Sequence, residues 1–568
     1  MTGAGWRRWW LPAWCGLLIV LIWAPLARPG FVLSYDMVTV PRQSLVPESL
    51  GLGSGLPRAV PQDAVLAIVT SVIPGELVYR AVLIGVVFCA GLGAGRLLDG
   101  AGLGAQTVAA TAYAWNAYVA ERLVIGHWTL LVAYAALPWI VRAGLAARNG
   151  DARAVPVAVL LIAVSSLTPT GGLLAVGLAG AVFAGRTRWI VVPIGLALQL
   201  PWLAPALLNT AVRAPDPAGA MAFAARSDSP LGIVGSVLTL GGIWNGDVIP
   251  DSRGLVSAAV LTVAWVVLGA VGARDLGRQL GIAGPLGLAA AVGIVLSLAG
   301  TWGDALAWAI AHVPGAGILR DGHKFLAWFA VALAPAVGLG ARQVGRMVGR
   351  ATRHAVPGAV PVLAIAAIPI LALPDLAWGV WGRLEPVRYP ATWYEARDVT
   401  RQHHDGALVV LPFQPFRSYP WNDHRTVLDP FPRFSGVQSV WPDALTVGTD
   451  RIAGEDPRAA RVYEALASDE PLQGLRNAGV ALIAVQRDTP GQVPPELTAD
   501  LELLYTSAQI DVYQVPGDVR DWPYGASPVA IVAIDLAVLL TIAGVGGWLF
   551  VLRTRQGRSP GPGTVTAR

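Results

Sequence analysis

The sequence is poor in charged residues and in cysteine. Only 14% of its 568 residues are charged, 54% are hydrophobic, and the mean hydropathy is +0.56. Soluble proteins carry about 25% charged residues, so a soluble multidomain enzyme and a disordered chain are excluded. The two cysteines, Cys15 and Cys89, lie in apolar runs, which predicts small buried side chains and excludes a disulfide framework. An integral membrane protein with many spans remains.

Sequence patterns typical of soluble enzymes are also missing. The chain has no Gly-x-x-x-x-Gly-Lys loop, which excludes direct coupling to ATP through a P-loop. It has no Cys/His spacing of a metal site and no convincing Gly-x-Ser-x-Gly before a helix, so a zinc enzyme and a serine hydrolase are not expected. The formal net charge is +5, and a single lysine, Lys324, stands among the 41 basic residues. In a membrane protein such an excess reports topology, so no nucleic-acid partner is expected.

Runs of about 20 apolar residues predict the membrane-spanning helices. We predict twelve spans, over residues 9–28, 78–97, 103–119, 127–146, 154–169, 171–185, 188–209, 255–273, 281–300, 325–341, 357–374 and 528–552. The apolar stretch 61–73 is too short to span, and we expect it to lie in the membrane interface as an amphipathic helix.

Arginines cluster in alternate loops between the predicted spans. These loops are short and basic, as cytoplasmic loops are under the positive-inside rule. Both chain ends are therefore expected in the cytoplasm, and the long segments 29–77, 210–254, 301–324 and 375–527 on the outer side. The chain divides into a membrane core over 1–374, an outer domain over 375–527, a last span over 528–552 and a basic tail over 553–568.

The longest outward segment has the composition of a folded domain. Between Asp375 and Pro528 it holds 21 of the 36 acidic residues. Residues 407–411 and 480–485 are apolar runs that predict buried strands, and 511–515 alternates like a further strand. Helices are predicted over 456–467 and 470–478. The predicted fold class is a polytopic α-helical membrane protein of about 12 spans with an extracytoplasmic α/β domain.

The stretch 413–425 of that domain mixes aromatic and planar polar side chains. Aromatic rings can cover the apolar face of a sugar, while Arg, Asn or Asp bind its hydroxyl groups. The candidate acceptor-binding residues are accordingly Arg417, Tyr419, Trp421 and Asn422. The alternative is a proline-rich surface loop packed by its own aromatic residues.

The first outer segment carries an acidic residue close to the membrane surface. Asp36 follows the first predicted span and lies between Tyr35 and Met37. A carboxylate in apolar surroundings is poorly solvated, and is therefore a better base. A helix cap or an ion pair with Arg42 is the structural alternative.

An acidic residue after the first span, an interfacial helix and a late soluble domain form a layout that resembles the GT-C superfamily of membrane glycosyltransferases. The motifs Ser-Tyr-Asp-Met-Val at 34–38 and Leu-Arg-Asp-Gly-His-Lys at 319–324 are similar to stretches in actinobacterial arabinofuranosyltransferases. The resemblance implies a polyprenyl-phosphate sugar donor and a catalytic role for Asp36. Many members carry an acidic pair here, whereas Asp36 has no acidic neighbour. No cofactor or metal ligand is therefore assigned, and a divalent metal stays open.

Two groups of cations lie on the predicted outer side. Arg122 and His127 lie between the third and fourth spans, and Arg320, His323 and Lys324 precede the tenth. Cations on the outer side run against the positive-inside rule. A lipid phosphate is the leaving group that the resemblance implies, and cations would stabilise its developing charge. The alternatives are a snorkelled interface belt for the first group and anionic lipid headgroups for the second.

The favoured hypothesis is an inverting glycosyltransferase of the cell membrane, with Asp36 as base and the five cationic or imidazole side chains at the donor phosphate. The resemblance favours arabinofuranose as the sugar, with mannose next, and a cell-envelope glycan or lipoglycan as the acceptor. The rival is a non-catalytic envelope transporter or scaffold, or an inactive member of the superfamily. No internal repeat typical of transporters is evident.

Overall fold

The computed structural model describes residues 5–351, 359–403, 405–448, 450–491 and 493–556. Within these ranges the chain forms a large set of packed apolar helices and a smaller α/β segment. Residues 557–568, which make up most of the predicted basic tail, lie outside the described residues, as do the first two residues of the predicted span 357–374.

Long apolar helices account for most of the predicted membrane core. Among the described residues, six helices are long and apolar enough to cross a membrane: Arg7–Ala27, Gly75–Arg96, Trp128–Arg148, Val256–Leu280, Gly322–Val348 and Pro528–Arg555. Two bent pairs also qualify, and they raise the number to eight if each is one span: Gly185–Ala197 with Leu200–Leu208, bent by 53°, and Val362–Ala372 with Pro374–Trp381, bent by 76°.

The remaining predicted spans correspond to shorter helices. These are Leu103–Ala114, Ala154–Ser165, Pro169–Val182 and Ala283–Ser297. Helix is therefore present in all twelve predicted segments, while twelve complete crossings stay a prediction. The stretch predicted as an interfacial helix is also helical, over Gln62–Val72.

The predicted span 103–119 is interrupted before its end. Leu103–Ala114 stops, and a separate helix follows over Ala117–Val124. Asn116 caps this second helix, because its side-chain oxygen accepts a hydrogen bond of 3.0 Å from the Val119 backbone nitrogen. Asparagine is a preferred residue at such a cap. The short helix that results is fully buried.

Further helices, and the strands of the described residues, lie in the segments that the sequence predicts to be on the outer side. The helices are Gly219–Ala222, Gly232–Leu238, Asp304–His312, Ala377–Trp381, Ala391–Gln402, Phe431–Ser435, Pro457–Leu466, Pro471–Asn477 and Pro495–Ala499. The strands are β1 (Phe31–Val32), β2 (Pro386–Val387), β3 (Ala407–Leu411), β4 (Phe416–Ser418), β5 (Thr426–Leu428), β6 (Leu445–Val447), β7 (Asp450–Ile452), β8 (Val480–Gln486), β9 (Glu502–Tyr505) and β10 (Ile510–Gln514).

The largest sheet has the strand order β3-β8-β10-β9. β3 and β8 run parallel, and the other neighbours run antiparallel. One face of this sheet packs on a cluster that contains Trp393 and Phe434, and the other on a cluster that contains Val462 and Leu475. Both faces are therefore covered, as in a layered α/β fold. The strands and helices predicted in this segment are each found within one residue of their predicted bounds.

Main-chain pairing attaches the first outer segment to the α/β segment. β1 pairs antiparallel with β2. The Tyr35 nitrogen donates to the Thr426 oxygen over 2.7 Å, and the Leu428 nitrogen donates to the Tyr35 oxygen over 2.8 Å. Tyr35 thereby lies beside β5, and its neighbour Asp36 is held at the junction of the two parts.

The two cysteines differ in their surroundings, and one prediction about them is wrong. Cys15 is buried, as expected, but Cys89 is exposed on the helix Gly75–Arg96. An apolar run places its outward side chains against lipid rather than in a protein core, so apolar neighbours in sequence do not imply burial.

Candidate functional site

Asp36 lies in a tight turn that is clamped between two other segments. Ser34 and Met37 close this turn by two backbone hydrogen bonds of 3.1 and 2.8 Å. Tyr35 has a φ of +44°, a conformation that non-glycine residues rarely adopt outside special sites. Below the turn lies Gly126, where an added Cβ would meet the Met37 nitrogen at 2.0 Å. Only glycine allows the turn to sit this close to the loop that carries the next residue of the site.

His127 is the hydrogen-bond partner of Asp36. Its Nε2 lies 3.1 Å from Asp36 Oδ2, and its Nδ1 lies 2.8 Å from Arg122 Nη1. A guanidinium can only donate, so Nδ1 must accept and the proton of the neutral ring is on Nε2. His127 therefore donates to Asp36.

Arg122 is the centre of the buried network behind this pair. Its two terminal nitrogens donate to the two oxygens of Asp321, over 3.0 and 3.1 Å. The Arg122 side chain is completely buried. Burial by itself would lower the pKa of Arg122, but the charge of Asp321 outweighs it and raises the pKa. Although burial opposes it, the same guanidinium holds the pKa of Asp321 far below its usual range.

His323 and Lys324 complete this part of the network. His323 Nδ1 accepts from Arg122 Nη2 over 2.7 Å, and its Nε2 donates to the Gly241 oxygen over 3.0 Å. His323 is therefore neutral, by the same reasoning as His127. Lys324 Nζ lies 3.4 Å from Asp321 Oδ2, and its side chain keeps 25% of its surface exposed. Two cations thus share the single carboxylate of Asp321, and the lysine is the one open to solvent.

A second buried ion pair lies next to the first. Asp228 accepts two hydrogen bonds from Arg253, of 3.0 and 2.8 Å, and a third of 2.9 Å from the Gly242 nitrogen. Burial opposes ionisation of Asp228, but Arg253 prevails and lowers its pKa to about 2. Glu121 lies between the two pairs: its Oε2 is 3.8 Å from His323 Nε2, and its side chain has no exposed surface.

Arg320 points away from this network, toward the α/β segment. Its Nη1 donates to Glu455 Oε1 over 3.1 Å, and its guanidinium lies 5.2 Å from the centre of the Phe223 ring. Glu455 is also paired with Arg58 of the first outer segment. Arg320 keeps 20% of its side-chain surface exposed. The site therefore holds four of the five expected donor residues in one network, and Arg320 is anchored separately at its edge.

Three of the four expected acceptor-binding side chains are in the interior of the α/β segment. Arg417, Tyr419 and Asn422 are each at most 2% exposed. Arg417 and Tyr419 both donate to Gln486 Oε1, over 2.8 and 2.9 Å. As placed here, these side chains have no surface to offer to a glycan, which corrects the expectation and favours the alternative of a loop packed by its own aromatics.

Trp421 is the one of these four residues that keeps exposed surface. Its indole stacks on Tyr419, with 4.8 Å between the ring centres, and its Nε1 donates to Asp488 Oδ2 over 3.1 Å. Burial raises the pKa of Asp488 to about 6.

Several residues of the site were not singled out from the sequence. Asp321 lies inside the quoted 319–324 motif, but its pairing with Arg122 joins positions 199 residues apart. Asp228 and Arg253 had no signal beyond charge in an outer segment. Tyr35, the chain neighbour of Asp36, packs against Phe416, with 6.1 Å between the centres of the two rings. This aromatic pair is called the wall below. Among the described residues, no group of three or more His, Cys, Asp or Glu side chains is arranged to hold a metal ion.

A cavity opens between the helices Val256–Leu280 and Ala359–Ala372. Its wall is mainly apolar, and Arg253 and Thr239 provide polar groups within it. Arg253 donates to Thr239 Oγ1 over 3.0 Å. The cavity therefore adjoins the second ion pair from the side of the apolar helices.

Comparison with solved structures shows which fold this architecture shares. No family model matches the chain, and no curated protein matches it in sequence. The structure shares its fold with solved structures of an arabinofuranosyltransferase, so the resemblance expected from the sequence is confirmed at the level of the fold.

The matching solved structures include those of a mycobacterial and of an archaeal enzyme. The cryo-EM structure of arabinofuranosyltransferase AftD from Mycobacteria aligns with a TM-score of 0.58 and 16% identity, over 91% of this chain and 40% of that one. A mutant form of the same enzyme aligns with a TM-score of 0.55 and 15% identity, over 90% and 42%. The archaeal oligosaccharyltransferase AglB from Archaeoglobus fulgidus aligns with a TM-score of 0.41 and 11% identity, over 85% and 69%. The chain thus spans about two fifths of the length of the arabinofuranosyltransferase.

Proposed function

We propose that this protein is an inverting GT-C-type glycosyltransferase that moves a sugar from a polyprenyl phosphate to a cell-envelope glycan or lipoglycan on the outer face of the membrane. One observation carries the proposal. A half-exposed carboxylate, Asp36, and a part-exposed cation, Lys324, lie at the two ends of one chain of contacts that runs through His127, Arg122 and Asp321. Base and phosphate ligand on opposite sides of an anomeric carbon are what inverting transfer requires.

In this mechanism Asp36 takes the proton from an acceptor hydroxyl group. The oxygen attacks the anomeric carbon from the face opposite the phosphate, and the bond between that carbon and the phosphate oxygen breaks. The electron pair leaves with the polyprenyl phosphate. Lys324, with Arg320 at the edge, stabilises its negative charge, since a cation is most effective where charge develops.

The other residues of the network position these groups. Arg122 and His323 are completely buried, so they hold Asp321 and the loop rather than contact the donor. His127 presents a proton to Asp36 and fixes its orientation. Among the residues expected at the phosphate, Lys324 and Arg320 remain as direct ligands.

The likeness to arabinofuranosyltransferase AftD favours arabinofuranose as the transferred sugar, with mannose next. The acceptor would approach along the ring of Tyr35, the chain neighbour of Asp36, and along Phe416, which contacts Tyr35. The polyprenyl chain would enter from the bilayer, and the cavity beside Arg253 has an apolar wall suited to it. We further propose twelve crossings, with both termini in the cytoplasm and the α/β segment outside.

The test compares wild type, D36N and D398N in nanodiscs, with a polyprenyl-phosphate sugar as donor and an envelope glycan as acceptor. Asp398 is an exposed carboxylate of the α/β segment and serves as the matched control. Loss of a general base lowers rates by about 100- to 10,000-fold, so D36N should lose transfer while D398N keeps it. Binding of farnesyl phosphate should persist in both variants. Wild-type transfer rates in D36N would refute the role of Asp36, and absence of transfer in wild type with every sugar donor tested would favour the scaffold alternative.

A further inference from the structure

The buried carboxyl group of Glu121 has no evident hydrogen-bond donor. Among the described residues, no donor lies within hydrogen-bonding distance of either of its oxygens. His323 Nε2 lies 3.8 Å from Glu121 Oε2, and its proton is donated to the Gly241 oxygen. An ionised carboxylate without donors is among the most costly groups to bury. Glu121 is therefore unsuited to the ionised form.

A protonated His323 could stabilise an ionised Glu121, but His323 is not protonated. Its Nδ1 accepts a hydrogen bond from Arg122, which an imidazolium could not do. His323 is thus neutral and gives Glu121 no counter-charge. The two arginines nearby are already engaged, Arg122 with Asp321 and Arg253 with Asp228, each through two nitrogens.

The side chains of Glu121 and Asp228 interact by a hydrogen bond, so Asp228 is the acceptor for a proton on Glu121. The positive charge of Arg253 stabilises the ionised form of Asp228, whose side chain is fully buried. Burial and the interaction with Asp228 both raise the pKa of Glu121 well above its usual value. When two carboxyl groups share a buried site, one of them keeps its proton. Because Arg253 stabilises the ionised form of Asp228, the proton stays on Glu121.

The protonation of Glu121 determines the net charge of the ion pairs that lie behind Asp36. In this cluster, Arg122, Lys324 and Arg253 exceed the two ionised carboxylates Asp321 and Asp228 by one positive charge. Asp36, on the other side of His127, is counted separately. An ionised Glu121 would cancel this excess, and the cluster would no longer favour a phosphate. The same hydrogen bond would link the short helix Ala117–Val124 to the loop that carries Asp228.

We propose that Glu121 is a positioning residue that stays protonated and donates its proton to Asp228, so that the cluster keeps one positive charge for the donor phosphate. The phosphate part rests on the proposed function. The protonation part does not, because it follows from the contacts of Glu121 alone.

Infrared spectroscopy tests the protonation directly. In full-length protein in nanodiscs at pH 7.5, the difference spectrum between wild type and E121Q should show the carbonyl stretch of a neutral carboxylic acid in wild type only. D488N is the matched control, because Asp488 has a pKa of about 6 and is mostly ionised at this pH, so its difference spectrum should lack the band. Absence of the band from the E121Q difference would overturn the proposal.

Binding of farnesyl phosphate tests the charge. E121Q replaces a neutral acid by a neutral amide that can still donate to Asp228, so its affinity should change less than twofold. If Glu121 were ionised, E121Q would add one positive charge and tighten binding by tenfold or more, which would refute the proposal. K324M should weaken binding and shows that the assay responds to charge. If wild type binds no farnesyl phosphate, the phosphate site of the proposed function fails, and the infrared result still decides the state of Glu121.

Discussion

His127 donates a hydrogen bond of 3.1 Å to the carboxylate of Asp36. Arg122 determines the direction of this bond. Because Arg122 can only donate, Nδ1 of His127 must accept from it, and the ring proton is on Nε2. The half-exposed carboxylate of Asp36 is thereby held in one orientation by a neutral imidazole. The geometry resembles the way in which a base is oriented by a second residue in many enzymes.

The role of His127 can be separated from phosphate binding. H127A removes the proton that orients Asp36 and leaves Lys324 in place. We expect kcat to fall, by up to about 100-fold for a base displaced by about 1 Å, while the KM for the donor stays nearly unchanged. Steady-state kinetics with varied donor would check this. A rise in donor KM with unchanged kcat would instead support the original assignment of His127 to the phosphate.

Lys324 should dominate the affinity for the donor. It is the exposed one of the two cations that share Asp321, and a hydrogen bond to a charged group contributes about 1.5–3 kcal/mol. K324M should therefore weaken binding of farnesyl phosphate by about tenfold or more, and K324R should recover part of it. The matched control is R346Q, an exposed arginine on the same long helix. Equal effects of K324M and R346Q would point to a general membrane charge effect.

Phe416 should affect the acceptor and not the donor. Its ring packs against Tyr35, which is the chain neighbour of the proposed base, Asp36. F416A removes that wall and should raise the KM for the acceptor at least about fivefold, the effect of losing about 1 kcal/mol of contact. F413A is the matched control, because Phe413 lies in the same segment but packs on Tyr463 at 4.7 Å. If F413A and F416A raise the acceptor KM equally, the wall is not an acceptor site.

Asp488 should make the stability of the protein depend on pH. Burial raises its pKa to about 6, above the value of about 3.9 for an unfolded Asp. The folded state thus binds the proton more tightly, and this stabilisation is present at low pH and is lost as the pH rises through about 6. D488N cannot ionise, so its unfolding midpoint should exceed that of wild type at pH 7.5.

The difference between D488N and wild type should shrink toward pH 4, where the wild-type group is largely protonated. Thermal unfolding in detergent at several pH values measures it, with D398N as the exposed control. A midpoint of D488N below that of wild type at pH 7.5 would show that the ionised carboxylate stabilises the fold.

Local sequence patterns predicted the long apolar helices and three strands of the largest sheet. The strands at 407–411 and 480–485 were predicted because apolar residues follow one another without interruption, and the second strand ends one residue later, at Gln486. The break after Ala114 was missed, because hydropathy does not register a cap such as Asn116 inside an apolar run. The exposure of Cys89 was missed for a related reason, since lipid-facing and buried side chains have the same polarity.

The sequence by itself determined that the chain is built largely of apolar helices, the positions of most of these, and the charges that stand out from its pattern: Asp36 and the cationic group of Arg320, His323 and Lys324. Only the tertiary structure decided which charges meet. It paired Arg122 with Asp321 and Arg253 with Asp228, and it buried Arg417, which had been expected at a surface. Hydropathy is a property of neighbours along the chain, whereas an ion pair depends on packing between distant segments, as for Arg122 and Asp321, which are 199 residues apart. The same packing leaves the Glu121 carboxyl group without a hydrogen-bond donor, and for that reason the group keeps its proton.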